Sequence, residues 1–252
     1  MSPRHFCLAL LAVIFGQGAF AFEIEETEKA IKISEGDNTV LVYHKAEIPP
    51  PPGADPLFAR SGFIHPLCAP SGQEVTGIHP GDHVHHIGLW HAWVNTSHGD
   101  RKPDFWNLKK GSGRVRFKET VTIDDSAETP AFTVRQEHVS LAEGEPEIVV
   151  LDELFSVGVR RTGAGYSIDY KTEQTNTTRL PLEFPAYRYG GPIAYRGPAN
   201  WDKANSTVRT SEGKTREDGH ATRGRWCAFS GPVEGGHASL AILCHPANHD
   251  AP

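Results

Sequence analysis

A chain of 252 residues with a formal net charge of −6 and both signs interspersed has no basic face for nucleic acid, so that class of partner is excluded. Its 25 glycines and 19 prolines, with no long Leu/Ala/Glu/Lys runs at helical spacing, argue against a helical bundle and for strands joined by turns.

From the N-terminus, Arg4 and His5 precede an apolar run over residues 6–20, and Ala19-Phe20-Ala21 supplies the small residues that signal peptidase requires. The run is too short for a spanning helix, so a secretory signal over residues 1–21 is expected, cleaved after Ala21. Cys7 lies in this run without a lipobox, which argues against a lipid anchor. No later stretch reaches about eighteen apolar residues. Residues 22–252 are therefore expected as one exported all-β domain, periplasmic or extracellular, with no membrane span after signal cleavage. Of its cysteines, Cys68, Cys227 and Cys244, the last two are nearest in sequence; a disulfide between them and buried free thiols stand as alternatives.

Residues 30–34 and 39–44 flank the turn-forming Glu35-Gly36-Asp37-Asn38 and read as a hairpin. Pro49-Pro50-Pro51-Pro52-Gly53 cannot join a ladder and is expected as a polyproline-like surface loop. Over residues 115–123, Val115, Phe117, Val121 and Ile123 fall on one face and Arg116, Lys118, Thr120 and Thr122 on the other, the period of a half-buried strand. Similar runs over 131–141, 147–157 and 166–175, separated by turn chemistry, predict an antiparallel meander and hence a β-sandwich. Residues 200–225 read as a polar excursion between strands, which resume at 225–229 and 238–244. The last nine residues head into a new loop with no closing strand, so a C-terminal truncation is expected.

Seven of the 14 histidines fall between His65 and His98, most densely in Asp82-His83-Val84-His85-His86-Ile87-Gly88-Leu89-Trp90-His91. In an extended segment His83 and His85 share a face while His86 points away. Paired imidazoles can serve as general base and general acid, which makes His83, His85 and His86 the candidate catalytic residues. With Asp82 beside them, His83 and His85 can instead hold a divalent metal, given a third ligand from His65, His79, His91, Asp104 or His245. A structural role in an irregular loop is the third alternative.

Trp90, Trp93, Phe105 and Trp106, with Asp104, offer the ring faces and polar partners that a sugar needs, and would equally suit a core. Arg188, Tyr189, Tyr195 and Arg196 form a second polar–aromatic knot, suited to gripping a hydroxyl-rich or anionic ligand or to stacking guanidinium on phenol. No GxGxxG, GK[ST] or GxSxG pattern occurs, so nucleotide loops and a serine nucleophile find no support.

In order along the chain, Arg60-Ser61-Gly62-Phe63-Ile64-His65-Pro66-Leu67, Pro70-Ser71-Gly72, the 82–90 motif, Asp104-Phe105-Trp106, the span from Tyr189-Gly190-Gly191 to Arg196-Gly197, and His245-Pro246-Ala247-Asn248 resemble the PmoA-like family, DUF6807. The resemblance covers nearly all of residues 22–252. The family pattern reads DHxHHRG, and Ile87 stands here in place of the arginine, so a ligand-binding role at that position does not carry over. Relatives usually continue beyond the HPxN segment. The methane-oxygenase label attached to the family belongs to an integral membrane protein. For this chain the resemblance implies an exported β-sandwich, similar to galactose-mutarotase-type supersandwiches, that handles carbohydrate. Three functions are expected as alternatives, each with a small-molecule or glycan ligand. The first is a carbohydrate isomerase or lyase, with His83, His85 or His86 moving protons and Trp90, Asp104, Trp106, Arg188, Tyr189, Tyr195 and Arg196 contacting substrate. The second is a copper, zinc or iron protein built on the DHxHH segment. The third is a non-catalytic carbohydrate-binding module.

Overall fold

The computed structural model describes residues 21–248; the predicted signal segment, Ala21 excepted, lies outside them. The strands in chain order begin with β1 (Phe22–Glu26), β2 (Ala30–Glu35), β3 (Asn38–His44), β4 (Phe63–Leu67), β5 (Leu89–Ala92) and β6 (Ser97–His98). The long meander comes next as β7 (Gly113–Asp124), β8 (Ala131–Ser140), β9 (Ile148–Thr162) and β10 (Gly165–Asn176). Then come β11 (Leu182–Glu183), β12 (Gly191–Tyr195), β13 (Thr207–Thr210), β14 (Trp226–Val233) and β15 (Gly236–Leu243). The one helical element among the described residues is a 3-10 turn at Pro56–Phe58. No helix there is long and apolar enough to cross a membrane.

Two antiparallel sheets carry the architecture, ordered β1-β2-β3-β4-β5-β12 and β10-β9-β8-β7. Ile31 and Ile33 of β2, Leu41 and Tyr43 of β3, Ile64 of β4 and Leu89 of β5 meet Phe132 and Val134 of β8 and Phe155, Val157 and Val159 of β9 in one buried core. That is a β-sandwich, held by the removal of alternate apolar side chains from water at roughly 1.5–3 kcal/mol for each fully buried one. A smaller sheet, β13-β14-β15, joins the same core through Ala238, Val233 and Leu240. The pair β11-β6 completes the set.

The 30–44 hairpin forms as expected, closed by the pair Glu35↔Asn38 with Gly36 in the left-handed region at φ 56°. The meander forms too, with β9 and β10 running longer than expected and joined by the two residues Gly163 and Ala164. The face assignment in β7 is corrected. Register shifts between Phe117 and Glu119 and between Thr120 and Thr122 break the alternation and take Val121, 43% exposed, off the inward face; Ile123 is 38% exposed. Each bulge inserts one residue: after the first, Thr120 rather than Val121 lies opposite buried Val134, and the second restores the phase, so Ile123 lies opposite Phe132 at the exposed end of the strand. Residues 200–225 are more than an excursion, since they contain β13, paired with β14. Cys68, Cys227 and Cys244 are free thiols, and Cys244 is exposed.

A second apolar cluster lies against the first sheet and is built from Phe63, Ile87, Trp90, Ala92, Phe105, Val115, Val150 and Ala194. Strand β5 is buried along its whole length. Leu89 belongs to the inter-sheet core, whereas Trp90 and Ala92 belong to the second cluster. The candidate chemistry is arranged about this strand.

Candidate functional site

The histidine motif is a loop, not a strand. A bridge between Ile78 and Ile87 closes it, and two successive turns lie inside: the His83 amide donates to the Pro80 carbonyl at 3.0 Å, and the His86 amide to the His83 carbonyl at 2.8 Å. Gly88 is dictated by packing, because at φ 38° an added Cβ would lie 2.0 Å from the Ile64 carbonyl oxygen. Gly77 is equally constrained, its Cβ position falling 2.4 Å from the Gly197 oxygen. The residues of the loop thus turn over a tightly seated base.

That geometry corrects the expectation that His86 points away from His83 and His85. The His86 ring stacks on His83 with centroids 4.8 Å apart and an 18° angle, and meets His85 edge-on at 4.5 Å. His83 and His85 are 5.8 Å apart. Burial, with His83 nearby, pushes the His85 imidazole down to about 4; burial and its two neighbouring rings push His86 down to about 3. Both rings are therefore neutral at pH 7. His83 is exposed and makes a 3.0 Å contact to Asp82, whose second oxygen faces Arg196 at 3.9 Å. Asp82, His83 and His85 are not among the described groups that bring one ligand atom from each residue within 4.8 Å, so as arranged they do not converge on a metal.

Aromatic rings extend from this array. His86 lies 5.5 Å from Trp90 and 6.1 Å from Trp106, Trp90 lies 4.9 Å from Trp106, and Trp106 lies 5.9 Å from Tyr189. Arg188 sits over the Tyr189 ring. Of the predicted ligand-contacting residues, Trp106, Tyr189, Arg188 and Arg196 thus surround the histidines or their rim. Three others are held by the fold. The Trp90 ring is buried in the second cluster. The Asp104 carboxylate accepts from the Trp106 and Asn107 amides and from Asn107 Nδ2, capping its own turn. The Tyr195 hydroxyl donates to the Val75 carbonyl at 2.7 Å, and its ring packs on Phe229.

The proposed third metal ligands are likewise dispersed. His65 pairs with Thr76, His79 with the Val84 carbonyl, and His245 accepts from the Ala247 amide. Ile87, where the family pattern has arginine, is buried in the second cluster.

His91 leads to a feature that sequence spacing does not reveal. Its Nδ1 lies 2.6 Å from Glu153 Oε1 on β9, while His138 Nε2 on β8 lies 2.7 Å from Glu153 Oε2. Among the described residues these three buried side chains are the one group of His, Cys, Asp or Glu with a ligand atom from each within 4.8 Å.

The placement of protons decides what this group is. An indole N–H only donates, so Trp93 Nε1, 3.0 Å from Gln174 Oε1, fixes that amide's orientation. The Gln174 nitrogen lies 3.2 Å from each His91 ring nitrogen, and the ionised Glu153 carboxylate beside Nδ1 can only accept. His91 Nδ1 accordingly carries the proton given to Glu153, and His138 gives its Nε2 proton to the other oxygen. Burial opposes charge on Glu153, but the two imidazoles hold its pKa well below the usual carboxylate range. Burial also pushes His138 down. A metal held by the three would take the place of these two protons. As hydrogen-bonded here, the group is a buried imidazole–carboxylate–imidazole clamp between the two sheets. One sequence signal points here: Glu153 occupies the inward parity of β9 between Leu151 and Phe155, where a charge needs a partner.

The family model described as a family of unknown function, DUF6807, matches residues 30–252. No curated protein and no solved structure matches the chain.

Proposed function

We propose that this chain, which belongs to the DUF6807 family, binds a sugar over its histidine loop and moves protons on it with His85 and His86. The carrying observation is the array of three touching imidazoles, His83, His85 and His86, continued outward by the Trp106 and Tyr189 rings. The half-buried Trp106 and Tyr189 rings offer faces for the C–H groups of a sugar. Neutral imidazoles in contact supply the base and the relay for proton transfer. In this reading residues 1–21 direct export, and the sandwich presents its ligand site as galactose-mutarotase-like folds do.

The test is a panel of aldoses and uronic acids titrated into the mature protein, with binding followed by tryptophan fluorescence and carbon-bound proton exchange by NMR in D2O. Saturable binding of at least one sugar is expected. His86→Ala should abolish exchange and weaken binding about tenfold, equivalent to 1.4 kcal/mol, while EDTA changes neither. Binding without exchange would reduce the protein to a carbohydrate-binding module. No binding across the panel would overturn the sugar reading altogether.

A further inference from the structure

We propose that the ligand is at least two rings long, and that a cleft between Trp93 and the 184–190 segment receives the second ring. This rests on the sugar reading above and deepens it.

The cleft has a volume of about 190 Å³ and is lined by Trp93, Val94, Phe184, Tyr187, Tyr189 and Gly190, among others. Whole-ligand pockets run to roughly 300–1,000 Å³, so this one takes a ring-sized part of a molecule. It is continuous with the histidine array through a single shared wall. Tyr189 lines the cleft and also lies 5.9 Å from Trp106, which in turn faces His86. A molecule seated over His86 and Trp106 reaches the cleft by crossing one tyrosine ring.

The walls have the chemistry of a sugar subsite rather than of a protein-docking groove. Phe184 and Tyr187 stand 42% and 49% exposed, although each packs on another ring: Trp93–Phe184 at 4.6 Å and Tyr187–Tyr189 at 5.0 Å. Exposed aromatics gathered in a concave patch mark a binding surface. Arg188, between the two tyrosines, brings a guanidinium to the rim for hydroxyls.

The far wall is rigid. Trp93 cannot swing, because its indole nitrogen is tied through Gln174 to His91 and thence to the buried Glu153 carboxylate. Gly190 forms the floor at φ 90°, and a Cβ there would fall 2.2 Å from Val94 Cγ1. A bare backbone and a fixed indole are preformed for a flat ring at little cost in ordering.

Isothermal titration calorimetry with glucose, galactose and xylose against cellobiose, lactose, maltose and xylobiose tests the proposal. At least one disaccharide is expected to bind at least about tenfold more tightly than its constituent monosaccharide. In Phe184→Ala/Tyr187→Ala that gain should vanish while monosaccharide affinity stays unchanged. Both substitutions fall on exposed side chains, and circular dichroism confirms that the variant is folded. Equal affinity for the two lengths, or a gain that survives the double substitution, overturns the second-ring site and leaves the sugar reading standing. If no sugar of either length binds, the sugar reading falls and this inference with it.

Discussion

Replacing Glu153 by alanine is expected to lower the unfolding free energy by about 3–5 kcal/mol, the range for removing one member of a buried charged network. The carboxylate accepts from imidazoles on two different strands, His91 on β5 and His138 on β8, and so ties the two sheets together. Without it, two buried N–H groups face a cavity. Glu153→Gln keeps the shape but has only one oxygen, so one imidazole N–H is left facing an amide nitrogen, and part of the loss remains. Glu137 is the control. It meets Arg116 and Lys118 at 2.8 and 3.1 Å, and although Glu137 itself is buried, its partners are 31% and 54% exposed and stay hydrated without it, so Glu137→Ala should cost about 1 kcal/mol. Urea unfolding of the three variants at unchanged slope checks this order. Equal costs at Glu153 and Glu137 would refute the cross-sheet clamp.

Stability is expected to fall in two stages as pH is lowered. Burial, the leading cause in each case, sets the folded-state pKa of His65 and His85 at about 4 and of His86 at about 3. Unfolded imidazoles titrate near 6.5, roughly. Above that value both states are neutral and these groups contribute nothing to the pH dependence. Below it the unfolded chain takes up protons that the folded one refuses, so stability declines from about pH 6.5 towards the folded values. Each group contributes at most about 1.4 kcal/mol per pH unit, and less here because the rings are partly exposed and screened by solvent. The second stage belongs to Glu153. Its folded pKa is depressed, so its stabilisation is complete above the unfolded carboxylate value and is lost as pH falls below about 4.5. Urea midpoints at closely spaced pH values resolve the two stages. His85→Gln/His86→Gln should flatten the first and spare the second. An unchanged slope between pH 6.5 and 4.5 in that variant would show that these rings are not held neutral by the fold.

How much of the molecule is legible in its sequence depends on how local each cause is. The hairpin at β2 and β3 and the meander β7 to β10 are legible, because alternation and turn residues act over a few neighbours. The displacement of Val121 from the inward face is not, since a bulge is set by the partner strand, here β8, and leaves no mark in the alternating pattern itself. The histidine motif is legible as a place and misleading as a geometry. The rule that residues two apart share a face holds for extended chain, and Pro80 and Gly81 begin a pair of turns instead. Asp104 and Tyr195 resemble ligand contacts because their partners, an adjacent turn and the Val75 carbonyl, are visible only after folding. The His91–Glu153–His138 group is hidden by distance along the chain, with 62 residues separating its first pair.

Strand β5 sets the latitude for altering this protein. Its four residues are buried, and adjacent positions serve different ends: Trp90 backs the histidine loop and His91 anchors the cross-sheet clamp. Binding surface and scaffold are therefore inherited together there, and a change that retunes one disturbs the other. The 104–107 turn and the 184–190 segment carry Trp106, Phe184, Tyr187 and Tyr189 outside the two large sheets. Changes of ligand preference, by selection or by design, have room to accumulate in those two segments, with β5 held constant beneath them.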